Sequence, residues 1–218
     1  MKTIYCISGL GADEKVFSRL TIEGYSLVYL QWLTPLKKET IQQYARRMAE
    51  GIQDEAPILA GVSFGGMMCI EISKFLKTEK VILISSIQSH KEMPAWMRWS
   101  GKFRLNKLIP LRPYKMLEPI ENKRMGVTSK EDLAIVRNYR KNVSQVYLDW
   151  AIQVILHWRN DWQPSHIFHI HGEKDKIFPI KKLTPTYIIK DGGHFMVYNK
   201  ATEVSALVKA ILQDRSDI

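Results

Sequence analysis

The chain has 218 residues, enough for one domain with a substantial core and room for an insertion. Its formal net charge is +10 and 45% of its residues are apolar, the composition of an ordinary globular protein. No run of about 18 or more apolar residues occurs, so no membrane span is expected, and the opening MKTIYCIS lacks the apolar core and cleavage site of a signal peptide.

Lysines and arginines are dispersed, with some excess in residues 98–141, and neither an RNA-binding aromatic motif nor zinc-finger spacing accompanies them. The basic balance reads as a solvated face, and nucleic acid is not expected as a partner. The two cysteines, Cys6 and Cys69, fall in apolar segments. That pattern predicts buried free thiols and a cytoplasmic location.

Residues 2–8 form a nearly continuous apolar run, the pattern of a strand buried on both faces of a parallel sheet. Gly9-Leu10-Gly11-Ala12 predicts a turn, and Asp13 is placed to cap a short helix through Phe17 and Leu20. Residues 25–32 predict a second strand, ended by Thr34-Pro35. Over residues 39–53, Ile41, Tyr44, Met48 and Ile52 recur at helical spacing. Residues 57–62 and 80–85 predict the third and fourth strands, with a deeply buried helix over 67–76 between them. Regular alternation of strand and helix gives a parallel sheet with helices on both faces.

The alternation breaks from about residue 89 to 162, where no strand pattern appears. Met93, Trp96, Met97, Trp99, Pro110, Pro113 and Pro119 dominate its first half. Residues 93–125 predict packed core of an inserted segment, some of it lining an apolar pocket. The second half is helical: Ser129 and Asp132 resemble a capping box, and residues 144–158 put Tyr147, Trp150, Val154 and Trp158 on one face. Strands resume at 166–171 and 186–190. A closing helix over 202–213 turns Val204, Leu207, Val208 and Ile211 inward, and residues 214–218 are expected to fray.

Within PILAGVSFGG, residues 57–66, the segment Gly61-Val62-Ser63-Phe64-Gly65 matches G-x-S-x-G. In this strand-to-helix turn the serine is held in a strained conformation at the sheet edge, and the small residues two places either side let strand and helix approach. Its hydroxyl then lies at a helix N-terminus, where developing negative charge is stabilised. An acyl-transfer serine also needs a base, an orienting acid and two oxyanion donors. His194, in Gly-Gly-His after the last strand, is the candidate base. Asp175, just past the strand over 166–171, is the candidate acid; Glu173 competes, and Asp191 is too near His194 in sequence to serve as well. The oxyanion donors would be the backbone N–H groups of Leu10 and Phe64. His169 and His171 alternate on one strand and share a face, but no third ligand stands nearby, so a metal site is not expected.

With these residues in place, the chain resembles the α/β-hydrolase superfamily along almost its whole length. The resemblance rests on SGLGAD after the first strand, GVSFGG, the helical insertion after the fourth strand, HGEKDKIFP after the fifth and GGHF after the sixth. It implies Ser63 as nucleophile, Asp175 as acid, His194 as base, and Leu10 and Phe64 as oxyanion amides. It also implies one domain over 1–218: a mostly parallel, six-stranded sheet with helices on both faces and a helical cap inserted at about 88–162. Two features depart from the pattern. Ser8-Gly9 stands where many relatives have His-Gly, and the antiparallel hairpin that often precedes the first strand is missing. If the family order holds, the second strand forms one edge of the sheet and residues 186–190 the other.

The function implied is a serine hydrolase acting on a carboxylic ester or thioester of a small, largely apolar substrate, with no metal or organic cofactor required. The same triad serves lyases, C–C hydrolases and perhydrolases. A slow-turnover small-molecule binding protein is the alternative of a different class.

Overall fold

The computed structural model describes residues 1–102 and 118–214. Pro110, Pro113 and the tail after Asp214 lie outside the described residues. Strands β1 (Lys2–Ile7), β2 (Tyr25–Tyr29), β3 (Ile58–Val62), β4 (Lys80–Ile84), β5 (Ile167–Gly172) and β6 (Tyr187–Ile189) form one sheet in the order β2-β1-β3-β4-β5-β6. All five pairings are parallel. β2 and β6 are the edges, and the order reverses direction after β2, so the carboxyl ends of β1 and β3 lie side by side. That is where sites collect in an open parallel sheet.

β3 is apolar and buried at every position, and so is β4 after Lys80, because both faces are covered. In β1, Tyr5 and Ile7 join a core with α1 (Ile41–Ala49) and α2 (Phe64–Ser73), while Ile4 and Cys6 join a second core on the opposite face. Leu59, Val81 and Leu83 extend the first core; Ile58, Ala60, Ile82 and Ile84 extend the second, which α8 (Ala201–Gln213) closes with Val204, Val208 and Ile211. This two-residue alternation is the pleat of a strand seen from both sides.

Local signals set most boundaries. Asp13 caps a 3-10 turn, Glu14–Phe17, by accepting from the Lys15 N–H. Thr40 and Gln43 form a capping box at the start of α1, and Ser129 and Asp132 form another at α5 (Lys130–Asn142). α2 begins at Phe64, immediately after the serine and earlier than its apolar pattern alone predicts. The reason lies in the elbow, where the chain enters the helix without any intervening turn.

Between β4 and β5 stand α3 (Ala95–Lys102), α4 (Glu118–Met125), α5 and α6 (Gln145–His157). α3 and α4 fall in the tryptophan-, methionine- and proline-rich stretch, where no helical periodicity was legible. α6 is pinned to the sheet layer by Trp150, whose Nε1–H donates to the Glu39 carbonyl at 2.9 Å, and by the buried Trp158, whose Nε1–H donates to Glu71 at 2.8 Å. A short helix, α7 (Met196–Asn199), follows His194 and was not expected.

Candidate active site

The site is built at the junction of β3 and α2. Ser63 has φ 54° and ψ −117°, outside the conformations open to ordinary L-residues. Such strain, of order 1–3 kcal/mol, persists only where the surroundings enforce it. Here they do. A Cβ on Gly61 would stand 2.4 Å from the Gly65 carbonyl, and one on Gly65 would stand 2.1 Å from the Ile7 carbonyl oxygen. The strand, the helix and β1 meet backbone to backbone, which leaves the serine no other path. Ser86 closes the turn from β4 by donating its hydroxyl to the Ser63 carbonyl at 2.6 Å.

His194 stands in the loop after β6, with its Nε2 3.0 Å from Ser63 Oγ and its Nδ1 2.8 Å from Asp175 Oδ2. The three residues named from the sequence are thus brought into one hydrogen-bonded chain. A carboxylate accepts, so His194 Nδ1 carries a proton; Nε2 is then the free acceptor facing the serine hydroxyl. Asp175 is 4% exposed. Its other oxygen, Oδ1, accepts from the Ile177 and Phe178 N–H groups at 2.8 and 2.9 Å. Burial alone raises its carboxyl pKa, but the His194 charge and hydrogen bond, His171 and the Phe178 amide together outweigh burial and hold it below the usual carboxylate range.

The competing acids are engaged elsewhere. Glu173 accepts from the Asp191 N–H at 3.1 Å, and Asp191 pairs with Lys174 at 2.5 Å, on the exposed rim of the same loops. His169 and His171 do share a face of β5, and they bind each other: His169 Nε2 lies 3.1 Å from His171 Nδ1. His171 Nε2 donates to the Phe178 carbonyl at 2.8 Å, which fixes its tautomer, because a carbonyl only accepts. His171 Nε2 is also 3.5 Å from Asp175 Oδ2. Burial, then the neighbouring His171, push His169 down to about 3, and burial pushes His171 down as well. This neutral pair buttresses the loop that carries Asp175.

Leu10 and Phe64 both line a cavity with Ser63. The Leu10 loop runs close beside the serine: a Cβ on Gly9 would lie at ordinary contact distance, 3.5 Å, from Ser63 Cβ. Among the described residues, neither the Leu10 nor the Phe64 N–H has a hydrogen-bond acceptor; for Phe64 this is the normal state of a first helical residue.

Two residues that sequence reasoning passed over hold this loop. Ser8 Oγ donates to the Ala12 carbonyl at 2.7 Å, closing the turn that carries Leu10, and accepts from Trp32 Nε1 at 2.9 Å. The same indole stacks on Phe64, with ring centroids 5.0 Å apart and planes 4° apart. Trp32 therefore touches both amide-bearing segments. The Ser8-Gly9 departure from His-Gly was the visible signal; its partner, 24 residues away, was not.

No family model and no curated protein matches the chain. Solved structures do. An esterase from Exiguobacterium antarcticum superposes with a TM-score of 0.77 at 14% identity, covering 98% of this chain and 92% of that one. An epoxide hydrolase from Bacillus megaterium gives 0.72 at 13% identity, covering 98% and 94%. A bromoperoxidase from Bacillus anthracis gives 0.71 at 15%, covering 98% and 92%. The chain has the α/β-hydrolase fold.

Proposed function

We propose that this protein is a serine hydrolase that cleaves a carboxylic ester or thioester of a small, largely apolar substrate through an acyl-enzyme. The observation that carries the reading is the continuous chain Ser63 Oγ, His194 and Asp175, with separations of 3.0 and 2.8 Å, built on a backbone-strained serine. The names of the structural neighbours, esterase among them, agree with it.

In this mechanism His194 Nε2 takes the Ser63 proton as Oγ attacks the substrate carbonyl. Asp175 holds the imidazole in the required tautomer and stabilises the imidazolium that forms. The amides of Leu10, in the turn after β1, and of Phe64, at the N-terminus of α2, stabilise the tetrahedral oxyanion. The imidazolium protonates the leaving group, and water activated by His194 then releases the acid.

A reducing, cytoplasmic location belongs to the same reading: Cys6 and Cys69 are free and buried, and burial pushes the Cys6 thiol up to about 12. No described helix is long and apolar enough to cross a membrane.

A fluorophosphonate probe tests the proposal. Rapid labelling that disappears in Ser63→Ala is expected; folded protein that takes up no probe would overturn it.

A further inference from the structure

Ser63 and Leu10 stand in the walls of two cavities, with Met125 and Ile177 between them. The larger, about 530 Å³, opens toward α3 and α6 and is walled by Phe64, Met67, Trp96, Ile152 and Leu156. The smaller, about 200 Å³, is walled by Val16, Val62, Tyr139, Phe195 and Val197. His194 lines the smaller cavity and not the larger.

That asymmetry, taken with the reading of Ser63 as an acyl-transfer nucleophile on which this inference rests, orients the substrate. When the tetrahedral intermediate collapses, the leaving oxygen must take a proton from His194 Nε2, so it lies within roughly 2.6–3.2 Å of that nitrogen. The leaving group therefore extends to the side of Ser63 that His194 walls. The acyl group extends to the other side.

We infer that the smaller cavity is the leaving-group site, that it takes a small apolar alcohol, and that the acyl chain lies in the larger cavity. Size supports the match: an apolar cavity of about 150 Å³ already holds a benzene. Chemistry supports it too. Apart from Ser63 and His194, the described walls are aliphatic and aromatic, and no lysine, arginine, aspartate or glutamate lines them. A large anionic thiol carrier has no cation to meet there. The cations that line the site, Arg124 and Arg140, stand with Glu121 in the wall of the larger cavity, so the smaller one suits the alcohol of a small apolar ester.

The step balances on groups already present. The Ser63 Oγ–C bond forms and its proton passes to His194; the C–O bond to the alkoxy group breaks, and the alcohol leaves with that proton. Water then adds to the acyl carbon, gives its proton to His194, and the acid departs as Ser63 Oγ is reprotonated.

Two ester series test the assignment, one varying the alcohol on a constant acetyl group and one varying the acyl chain on a constant methoxy group. Each is run on wild type, Val197→Ile and Val16→Ala. Narrowing the smaller cavity with Val197→Ile should lower the kcat/KM ratio of benzyl to methyl acetate by roughly tenfold. Val16→Ala should raise the same ratio, and neither should move the ratio of long to short acyl methyl esters. The two variants work in opposite directions, so a general weakening of the fold cannot imitate the pattern. Fluorophosphonate labelling of Ser63 runs alongside. If Ser63 is labelled and esters turn over, but the variants shift the acyl profile and not the alcohol profile, the cavity assignment is wrong and the hydrolase reading stands. If wild type neither takes the probe nor hydrolyses any ester, the hydrolase reading fails and takes this inference with it.

Discussion

The two sides of Ser63 are held by different means. On the imidazole side, each candidate group leaves the sheet at a strand end: Asp175 after β5 and His194 after β6. Its polar contacts are short and local, from the Ile177 and Phe178 amides to the His171 buttress. On the loop side, the turn carrying Leu10 is closed by the Ala12 N–H on the Gly9 carbonyl and braced by a buried hydroxyl and an indole, Ser8 and Trp32. Regular structure can deliver a side chain to a strand end, because the register of neighbouring strands sets where it emerges. Aiming a single amide N–H demands that the turn itself be braced, and here side chains do the bracing.

The largest effect should fall on the elbow that both sides share. Gly65→Ala drives a methyl into the Ile7 carbonyl oxygen, 2.1 Å away. A destabilisation of roughly 3 kcal/mol or more is expected, measured by urea unfolding, and no adjustment of a flexible side chain can relieve a clash between backbone segments.

On the imidazole side, Asp175→Asn should lower kcat by about a thousandfold to ten-thousandfold, with little loss of folded protein, because it removes the carboxylate that fixes the His194 tautomer. Steady-state kinetics on the best ester checks this. A fall of only a few-fold would mean that another acid orients His194.

The loop side should answer more mildly, since its amide is displaced and not removed. Ser8→Ala and Trp32→Phe are each expected to lower kcat by roughly tenfold to a hundredfold with KM little changed. Trp32→Phe keeps a ring against Phe64 but loses the indole N–H. The double variant should be scarcely worse than either single one, because both break the same hydrogen bond. Fully additive losses would show that the two residues act separately.

The smallest effect concerns pH. His169 has a folded-state value of about 3 against an ordinary 6.5, so the unfolded chain binds more protons between those limits. Stability from this group is complete above about 6.5 and declines as pH falls toward 3. His169→Gln, which can still donate to His171, should flatten that decline when unfolding midpoints are compared at neutral and mildly acidic pH. Asp175 has the opposite chemistry and the same direction. Its depressed carboxyl contributes stability above the ordinary aspartate range, lost only as pH falls through its lower folded value.

How much of this was legible beforehand depended on whether the signal was local. The parallel sheet was readable because strands buried on both faces carry nearly continuous apolar runs, as in 81–84. Ser63, Asp175 and His194 could be named as candidates because each stands in the turn or loop that follows a strand pattern. The capping box at Ser129 and Asp132 was readable because its partners are three residues apart. Helix α3 was not, since tryptophans and methionines pack in too many ways to leave a period, and α4, Glu118–Met125, has too few apolar residues to show one. α7 was too short to leave one.

The elbow pattern and the polar residues that follow each strand were determined by the sequence itself, since steric exclusion at Gly61 and Gly65 and the alternation of the pleat are properties of neighbouring residues. Only the tertiary structure decided that Trp32 reaches Ser8, that His171 stands behind Asp175, and that Ser63 lies between a large and a small cavity with His194 on the smaller. Those facts depend on where separate segments come to rest against one another, which packing settles and chain order does not.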